Sequence, residues 1–286
     1  MIVVLGAAGK TGRAIIRALA ARGQAVRALV RRPAQQAEVL AEGAGEAVVG
    51  DLHDANAVAA ALHGAQAVYH LSPNVNPHEV PLGQIVIAAA RAAGVAHVVY
   101  HSVLHPQTED MPHHWRKLRV EAALFKSGLS FTILQPTAYM QNLLAGWAAI
   151  STEGVYRVPY AVASAISLVD LRDVAEAAAR VLTEPGHAHA TYELVGTPGL
   201  SQTAVAEALA EALGRPVRTE AVDRAEWART AQANGMADDA RLTLLRMFEY
   251  YEQYGLSGSP HTLTALLGRK PRTLAAFARD AAAGQL

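Results

Sequence analysis

Ile2-Val3-Val4-Leu5-Gly6-Ala7-Ala8-Gly9-Lys10-Thr11-Gly12, running into Arg13 to Arg22, decides the fold. The first four residues are a short β-branched run, the pattern of a strand buried on both faces. Glycines at 6, 9 and 12 then interrupt it. Ile15, Ala18 and Leu19 recur at helical spacing, and Gly23 stands where a left-handed residue ends a helix. A strand, a glycine turn and a helix are the opening of a βαβ unit.

The alternation repeats downstream. Strands are expected at Ala25–Val30, Glu46–Val49, Ala67–Leu71, His97–His101 and Ser130–Leu134, and helices at Ala55–His63, His78–Ala93 and His113–Ser127. Gly64, Gly94 and Gly128, like Gly23, fall just after predicted helices. Such units place their strands in one parallel sheet through right-handed crossovers. The expected fold is α/β: a Rossmann-type, doubly wound parallel sheet with a smaller, mainly helical C-terminal lobe. Past Pro136 the rhythm changes to a helix over Ala138–Ile150, strands at Tyr156–Val158 and Ala165–Val169, and a helix capped by Asp170 with Asp173 at its third position. Helices at Ser201–Leu213, Asp223–Ala233, Met236–Tyr254 and Pro271–Ala283 then enclose strands at Thr191–Val195 and Val217–Ala221. The expected organisation is a dinucleotide-binding domain over 1–155, completed by 156–185, and a substrate- or partner-binding lobe over 186–286.

Composition narrows the function. Of 286 residues 51% are hydrophobic and 17% charged, which excludes a disordered chain. Lys+Arg and Asp+Glu both number 25, so no basic excess is present to meet nucleic-acid phosphates. The chain has no cysteine, which excludes disulfides, thiolate metal sites and a cysteine nucleophile. Twelve histidines show no ligand spacing with a third donor, so no metal is expected. No apolar run spans a bilayer, and the opening segment lacks the basic start of a signal peptide. The expected location is the cytoplasm, with no membrane partner.

Gly6-x-x-Gly9-x-x-Gly12 lets a pyrophosphate approach backbone amides at a helix N-terminus, so Gly6, Ala8, Gly9, Lys10, Thr11 and Gly12 are candidate cofactor residues. The second strand ends Val30-Arg31-Arg32-Pro33, without the carboxylate that would repel a 2′-phosphate. Arg31 or Arg32 forking onto that phosphate contributes about 1.5–3 kcal/mol, a tenfold to hundredfold preference. The expected cofactor is therefore NADP, with NADPH preferred over NADH. Asp51 and Leu52 at the third strand end would meet the adenine, although Asp51 could instead cap the following helix. Leu71, Ser72 and Pro73 end the fourth strand, where such sheets bind ligands.

Further motifs carry a family resemblance. Besides the glycine turn and Arg31-Arg32-Pro33, they are Tyr100-His101-Ser102-Val103-Leu104-His105-Pro106, His113-His114-Trp115-Arg116-Lys117 and Leu134-Gln135-Pro136-Thr137-Ala138-Tyr139-Met140-Gln141-Asn142. With the closing Leu266-Leu267-Gly268-Arg269-Lys270-Pro271, the chain resembles the NmrA-like branch of atypical short-chain dehydrogenases/reductases. The resemblance implies a two-lobed NADP-binding protein. Some members reduce quinones, dyes or phenylpropanoid-type substrates; others bind the cofactor and act as redox-sensing regulators. Lys117 matches a helix lysine with a catalytic part in isoflavone-reductase-like enzymes, and Pro136-Thr137 resembles the segment that meets the nicotinamide carboxamide.

Typical short-chain dehydrogenases use Tyr-x-x-x-Lys, yet none of the nine tyrosines has Lys four residues on. Carbonyl–alcohol chemistry by that route is disfavoured, as is a nucleotide-sugar epimerase. Lys117 and His101 are the candidate catalytic residues, with Ser102 and Lys117 also near the nicotinamide ribose. Lys117 could instead form a surface pair with Glu121. Tyr139 and Met140 are candidate substrate residues, Met140 equally a core residue. The expected function is an NADPH-dependent oxidoreductase passing hydride to a quinone-like or other conjugated acceptor. The alternative is a non-catalytic NADP(H)-binding regulator with a protein partner; either would be a monomer or homodimer.

Overall fold

The computed structural model describes residues 1–286 and divides into two compact units. The first comprises 1–107, 113–135 and 174–192. In chain order its elements are β1 (Ile2–Val4), α1 (Lys10–Ala20), β2 (Val26–Val30), α2 (Gln35–Ala41), β3 (Glu46–Val49), α3 (Ala55–Leu62), β4 (Ala67–His70), α4 (Glu79–Ala92), β5 (His97–His101), α5 (Pro112–Phe125) and β6 (Phe131–Pro136). Five neighbouring pairs, β1–β2, β2–β3, β1–β4, β4–β5 and β5–β6, run parallel. The core on one face joins Val3, Leu5, Val68, Val98, Tyr100 and Ile133 of the strands to Val58, Leu62, Val86, Val120 and Leu124 of α3, α4 and α5. Helices α4 and α5 approach closely at Gly83, where a Cβ would lie 2.7 Å from a Val120 methyl. The expected glycines Gly23, Gly64, Gly94 and Gly128 all have positive φ.

The chain continues through β7 (Ala138–Tyr139), a 3-10 segment at Met140–Gly146, β8 (Val155–Val158), β9 (Leu168–Val169), α6 (Leu171–Thr183) and β10 (Ala190–Leu194). It ends with α7 (Gln202–Leu213), β11 (Arg218–Ala221), α8 (Arg224–Ala233), α9 (Asp238–Tyr254), α10 (His261–Leu267) and α11 (Leu274–Ala282). The second unit, 108–112, 136–173 and 193–286, holds two small parallel pairs, β8–β11 and β7–β9, and packs α7 against α11.

Several expectations change. The sheet has seven strands in the order β10-β6-β5-β4-β1-β2-β3, so the strand assigned to a C-terminal lobe is its edge. There the His189 amide donates to the Phe131 carbonyl at 2.6 Å. The compact units divide after 107, 112, 135, 173 and 192. The helix expected over 138–150 begins two residues late and is irregular: Ala138 and Tyr139 are extended and pair with Leu168 and Val169, and 140–153 then run through 3-10, α and π turns. Gln141 beyond them is diverted to the start of α6, its amide donating to Asp170 and accepting from the Leu171 N–H, both at 2.9 Å. Helices α2 and α10 are additions.

Asp170 caps α6 as expected, accepting from the Arg172 amide at 2.8 Å. Asp173, fully buried, does more than open the helix: it accepts from Arg269 Nη2 at 2.8 Å and the Arg272 amide at 2.6 Å, and also pairs with the Arg272 guanidinium. Chain closure near residue 270 thus depends on one carboxylate nearly a hundred residues earlier. Asp173→Ala should lower stability by about 1.5–3 kcal/mol, the scale of a lost charged hydrogen bond, read as an earlier urea midpoint. An unchanged midpoint would show that the clamp carries no stability.

Candidate functional site

The glycine turn lies between β1 and α1 as expected. Gly6 has φ +69°, and a Cβ there would sit 2.5 Å from the Leu71 carbonyl oxygen at the end of β4. A Cβ on Gly12 would meet the Gly6 oxygen at 2.4 Å. The fold itself demands these two glycines. Gly9 is different: it is exposed, and its nearest neighbour is the Gly6 oxygen at 3.5 Å. Nothing in the protein excludes a side chain there.

Three further observations fit an anion at this turn. Gly9 is the N-cap of α1 and offers no side chain to the first helical amides, which have no intrahelical partners. The first turn carries no acid, and Lys10 opens the helix, against the helix dipole unless a negative group sits there. Ser72, at the end of β4, is buried with no partner for its hydroxyl. Thr11 and Gly12 are buried, and Ala8 and Leu71 are partly so.

At the ends of β2 and β3, Arg31, Arg32 and Asp51 are exposed and Leu52 half-buried. Asp51 does not cap α3; Asp54 does, accepting from the Asn56 amide at 2.9 Å. Asp51 instead accepts from the His53 amide at 2.9 Å and its ring Nδ1 at 2.8 Å. Those bonds, with the charges of His53 and Arg31, hold its carboxyl below the usual range.

The end of β5 is built around buried charge. Lys117 is 3% exposed and Glu79 0%, and their Nζ and Oε1 are 3.0 Å apart. The Lys117 ammonium also donates to the His101 carbonyl at 2.9 Å and lies 5.1 Å from the Tyr100 ring centre. The Tyr100 hydroxyl donates to Glu79 at 2.8 Å. The surface pair with Glu121 is therefore replaced by a buried one with Glu79. Glu121 turns inward too, accepting from the Ser102 hydroxyl and, at 3.0 Å, from the Gln135 amide. Burial pushes the Glu121 carboxyl up. At Glu79 burial also pushes upward, but the opposing Lys117 charge, the adjacent His70 ring and the hydrogen bonds from Lys117 and Tyr100 together hold it below its ordinary value.

His101 shares its Nδ1 with the Tyr69 hydroxyl. His70 stacks on Tyr100 with ring centres 5.4 Å apart, and neither of its nitrogens has a partner. Burial drives His101 down to about 3 and both His70 and His114 to about 4. Glu79, Tyr100 and His70 were missed in the sequence; a carboxylate in the first turn of α4 reads as an ordinary helix start. Pro136, Thr137, Tyr139 and Met140 belong to the second unit. There the Thr137 hydroxyl donates to the Ser167 carbonyl at 2.9 Å, Tyr139 is half-buried and Met140 fully buried.

Two outcomes follow. Lys117→Ala leaves Glu79 as a buried unpaired carboxylate and should cost about 3–5 kcal/mol, whereas Lys117→Met with Glu79→Leu should recover most of it; urea unfolding of both variants decides. His70, His101 and His114 stay neutral in the folded chain but take up protons once unfolded, as pH falls through about 6.5. Stability should therefore fall from pH 7 toward pH 4, by up to about 1.4 kcal/mol per pH unit per histidine. A urea midpoint constant over that range would contradict their burial as neutral rings.

The NmrA-like family model matches residues 1–278. The NAD(P)H azoreductase of Xenophilus azovorans is 32% identical over 284 residues, 99% of this chain and 98% of that one. Quinone oxidoreductase 2 of Escherichia coli (strain K12) is 31% identical over 277 residues, 96% of each. A crystal structure of the NADPH-dependent quinone oxidoreductase from Escherichia coli, complexed with NADPH, superposes with a TM-score of 0.84 at 30% identity, covering 97% of this chain and 98% of that one. The glycine turn, the sheet order and a match along nearly the whole length agree, and the chain belongs to the NmrA-like family.

Proposed function

We propose that this protein is an NADPH-dependent reductase of small-molecule quinone-like or other conjugated aromatic acceptors. The observation that carries the reading is near-full-length similarity to an azoreductase and a quinone oxidoreductase, joined to a glycine turn that is open at Gly9. No helix is long and apolar enough to cross a membrane.

The residues fit the cofactor. The amides from Gly9 to Gly12 would hold the pyrophosphate, Ser72 the nicotinamide-side phosphate or ribose, and Asp51 with Leu52 the adenine. Arg31 and Arg32, exposed at the end of β2, would take the 2′-phosphate. When bound, reduced nicotinamide supplies a hydride. Lys117 is engaged by Glu79 and the His101 carbonyl, so we assign it a positioning role: it fixes the end of β5. His101, held to Tyr69, orients the same strand end. In the second unit we retain Tyr139 as a substrate residue and read Met140 as core. A quinone suits this set because its oxygens accept charge readily and water can supply the proton.

Fluorescence titration with NADPH and NADH, then addition of a simple benzoquinone, tests the reading. NADPH should bind tenfold to a hundredfold more tightly, on the order of a charged hydrogen bond, and be oxidised when the quinone is added. Gly9→Ala should fold normally yet bind NADPH more weakly. Tight binding without oxidation of NADPH by quinones, azo dyes or enones would overturn the reductase in favour of a redox-sensing regulator with a protein partner.

A further inference from the structure

The residue one helical turn before Lys117, at the spacing where no tyrosine stands, is His113. Positions i and i+4 share a helix face. His113 is 8% exposed, and its ring meets His114 edge-on at 5.9 Å. Its Nδ1 is buried without a partner. A buried N–H with no acceptor is costly, so the ring proton belongs on Nε2 and the lone pair on Nδ1. The groups acting on the ring are Lys117, His114 and Arg116 of α5 and His101 of β5. Burial first, and then these cationic or basic neighbours, hold the imidazole well below its ordinary value, so it is neutral at neutral pH.

His113 Nδ1 has no partner, and the ring's contact is the edge of His114. His101 is held to Tyr69 and His114 to the His105 carbonyl at 3.2 Å, while His70 is stacked under Tyr100. Lys117 is committed to Glu79. We propose that His113 is a catalytic residue whose neutral imidazole donates its Nε2–H as a hydrogen bond to the acceptor oxygen that becomes negative during reduction. This deepens the reductase reading and rests on it. A quinone gains one hydride from the reduced nicotinamide and one proton from solvent, giving a hydroquinone and oxidised nicotinamide. His113 keeps its own proton throughout, since a neutral imidazole is far too weak an acid to give it up. Its contribution is electrostatic stabilisation of the developing charge.

The role separates from that of a general acid by its pH dependence. A protonated histidine acting as acid would make the rate fall as pH rises through about 6.5. A neutral donor leaves kcat for benzoquinone level across that range.

The test compares wild type, His113→Phe and His113→Gln. His113→Phe keeps the ring and loses the donor, so kcat/KM for benzoquinone should fall about tenfold to a hundredfold, the scale of one hydrogen bond to charge. NADPH affinity should stay unchanged, which also reports correct folding. His113→Gln places an amide N–H near the Nε2 position and should restore most of the rate. Wild-type activity in His113→Phe, or a wild-type rate that falls through an imidazole ionisation, overturns the proposal while leaving the reductase intact. In parallel, NMR of 15N-histidine protein loaded with NADP should show the His113 Nε2 signal moving when hydroquinone is added. If the wild type reduces no quinone, the reductase reading fails, and the 15N shift alone then decides whether His113 meets the ligand: no shift overturns it.

Discussion

Lys117 and Glu79 are an ion pair taken wholly out of water, and much of the first unit depends on it. The pair links α5 to α4, receives the Tyr100 hydroxyl, and sends its third contact to the His101 carbonyl. Removing two charges from water costs several kcal/mol per ion, and such a pair persists only where additional hydrogen bonds satisfy both partners. Here they do so for the ammonium and for one carboxylate oxygen: Tyr100 and Lys117 share Glu79 Oε1, the ammonium is divided between the carboxylate and the backbone, and Oε2 is buried without a partner. The consequence is positional. A strand end would otherwise fray, but His101 and Ser102 are fixed from both sides, by Lys117 through the carbonyl and by Glu121 through the Ser102 hydroxyl. Close passage of α4 at Gly83 lets Glu79 and α5 share one core.

How much of this was legible follows from the range of each interaction. The βαβ rhythm is local, since a strand, its helix and the glycine after it lie within about thirty residues, and those elements stand where the sequence places them. The glycine turn was legible for the same reason. The structure adds a distinction the motif lacks: backbone contacts require Gly6 and Gly12, and only Gly9 is free to answer to a ligand. Partners distant in sequence were not legible. Lys117 has Glu121 at i+4 and reads as a surface pair, but its partner is thirty-eight residues away because α4 and α5 pack side by side. Asp173 reads as a helix opener and turns out to hold Arg269 and Arg272.

The misread segments share one cause. Ala138 to Ile150 has good helix formers and is helical from Met140, but its first two residues pair with β9 and its glutamine serves α6. Tertiary pairing overrides propensity there. Thr191–Val195 was assigned by its surroundings, which are helical, although the strand itself belongs to β6 and the main sheet. Short strands carry too little pattern to announce which sheet they join.

The charge distribution in the first unit constrains the chemistry available to it. The only cation buried at the end of β5, Lys117, is neutralised by Glu79, and His70, His101, His113 and His114 are all held neutral. A neutral imidazole is a poor acid for an alkoxide, which needs a proton as hydride arrives. An acceptor whose reduced form spreads negative charge over a conjugated ring makes no such demand. Hydrogen-bond donors of fixed orientation are then worth more than acids, because they stabilise charge at the moment it forms without reorganising. The missing Tyr-x-x-x-Lys pair and the suppressed histidine ionisation are thus two aspects of one environment, suited to acceptors that leave the enzyme little proton chemistry to perform.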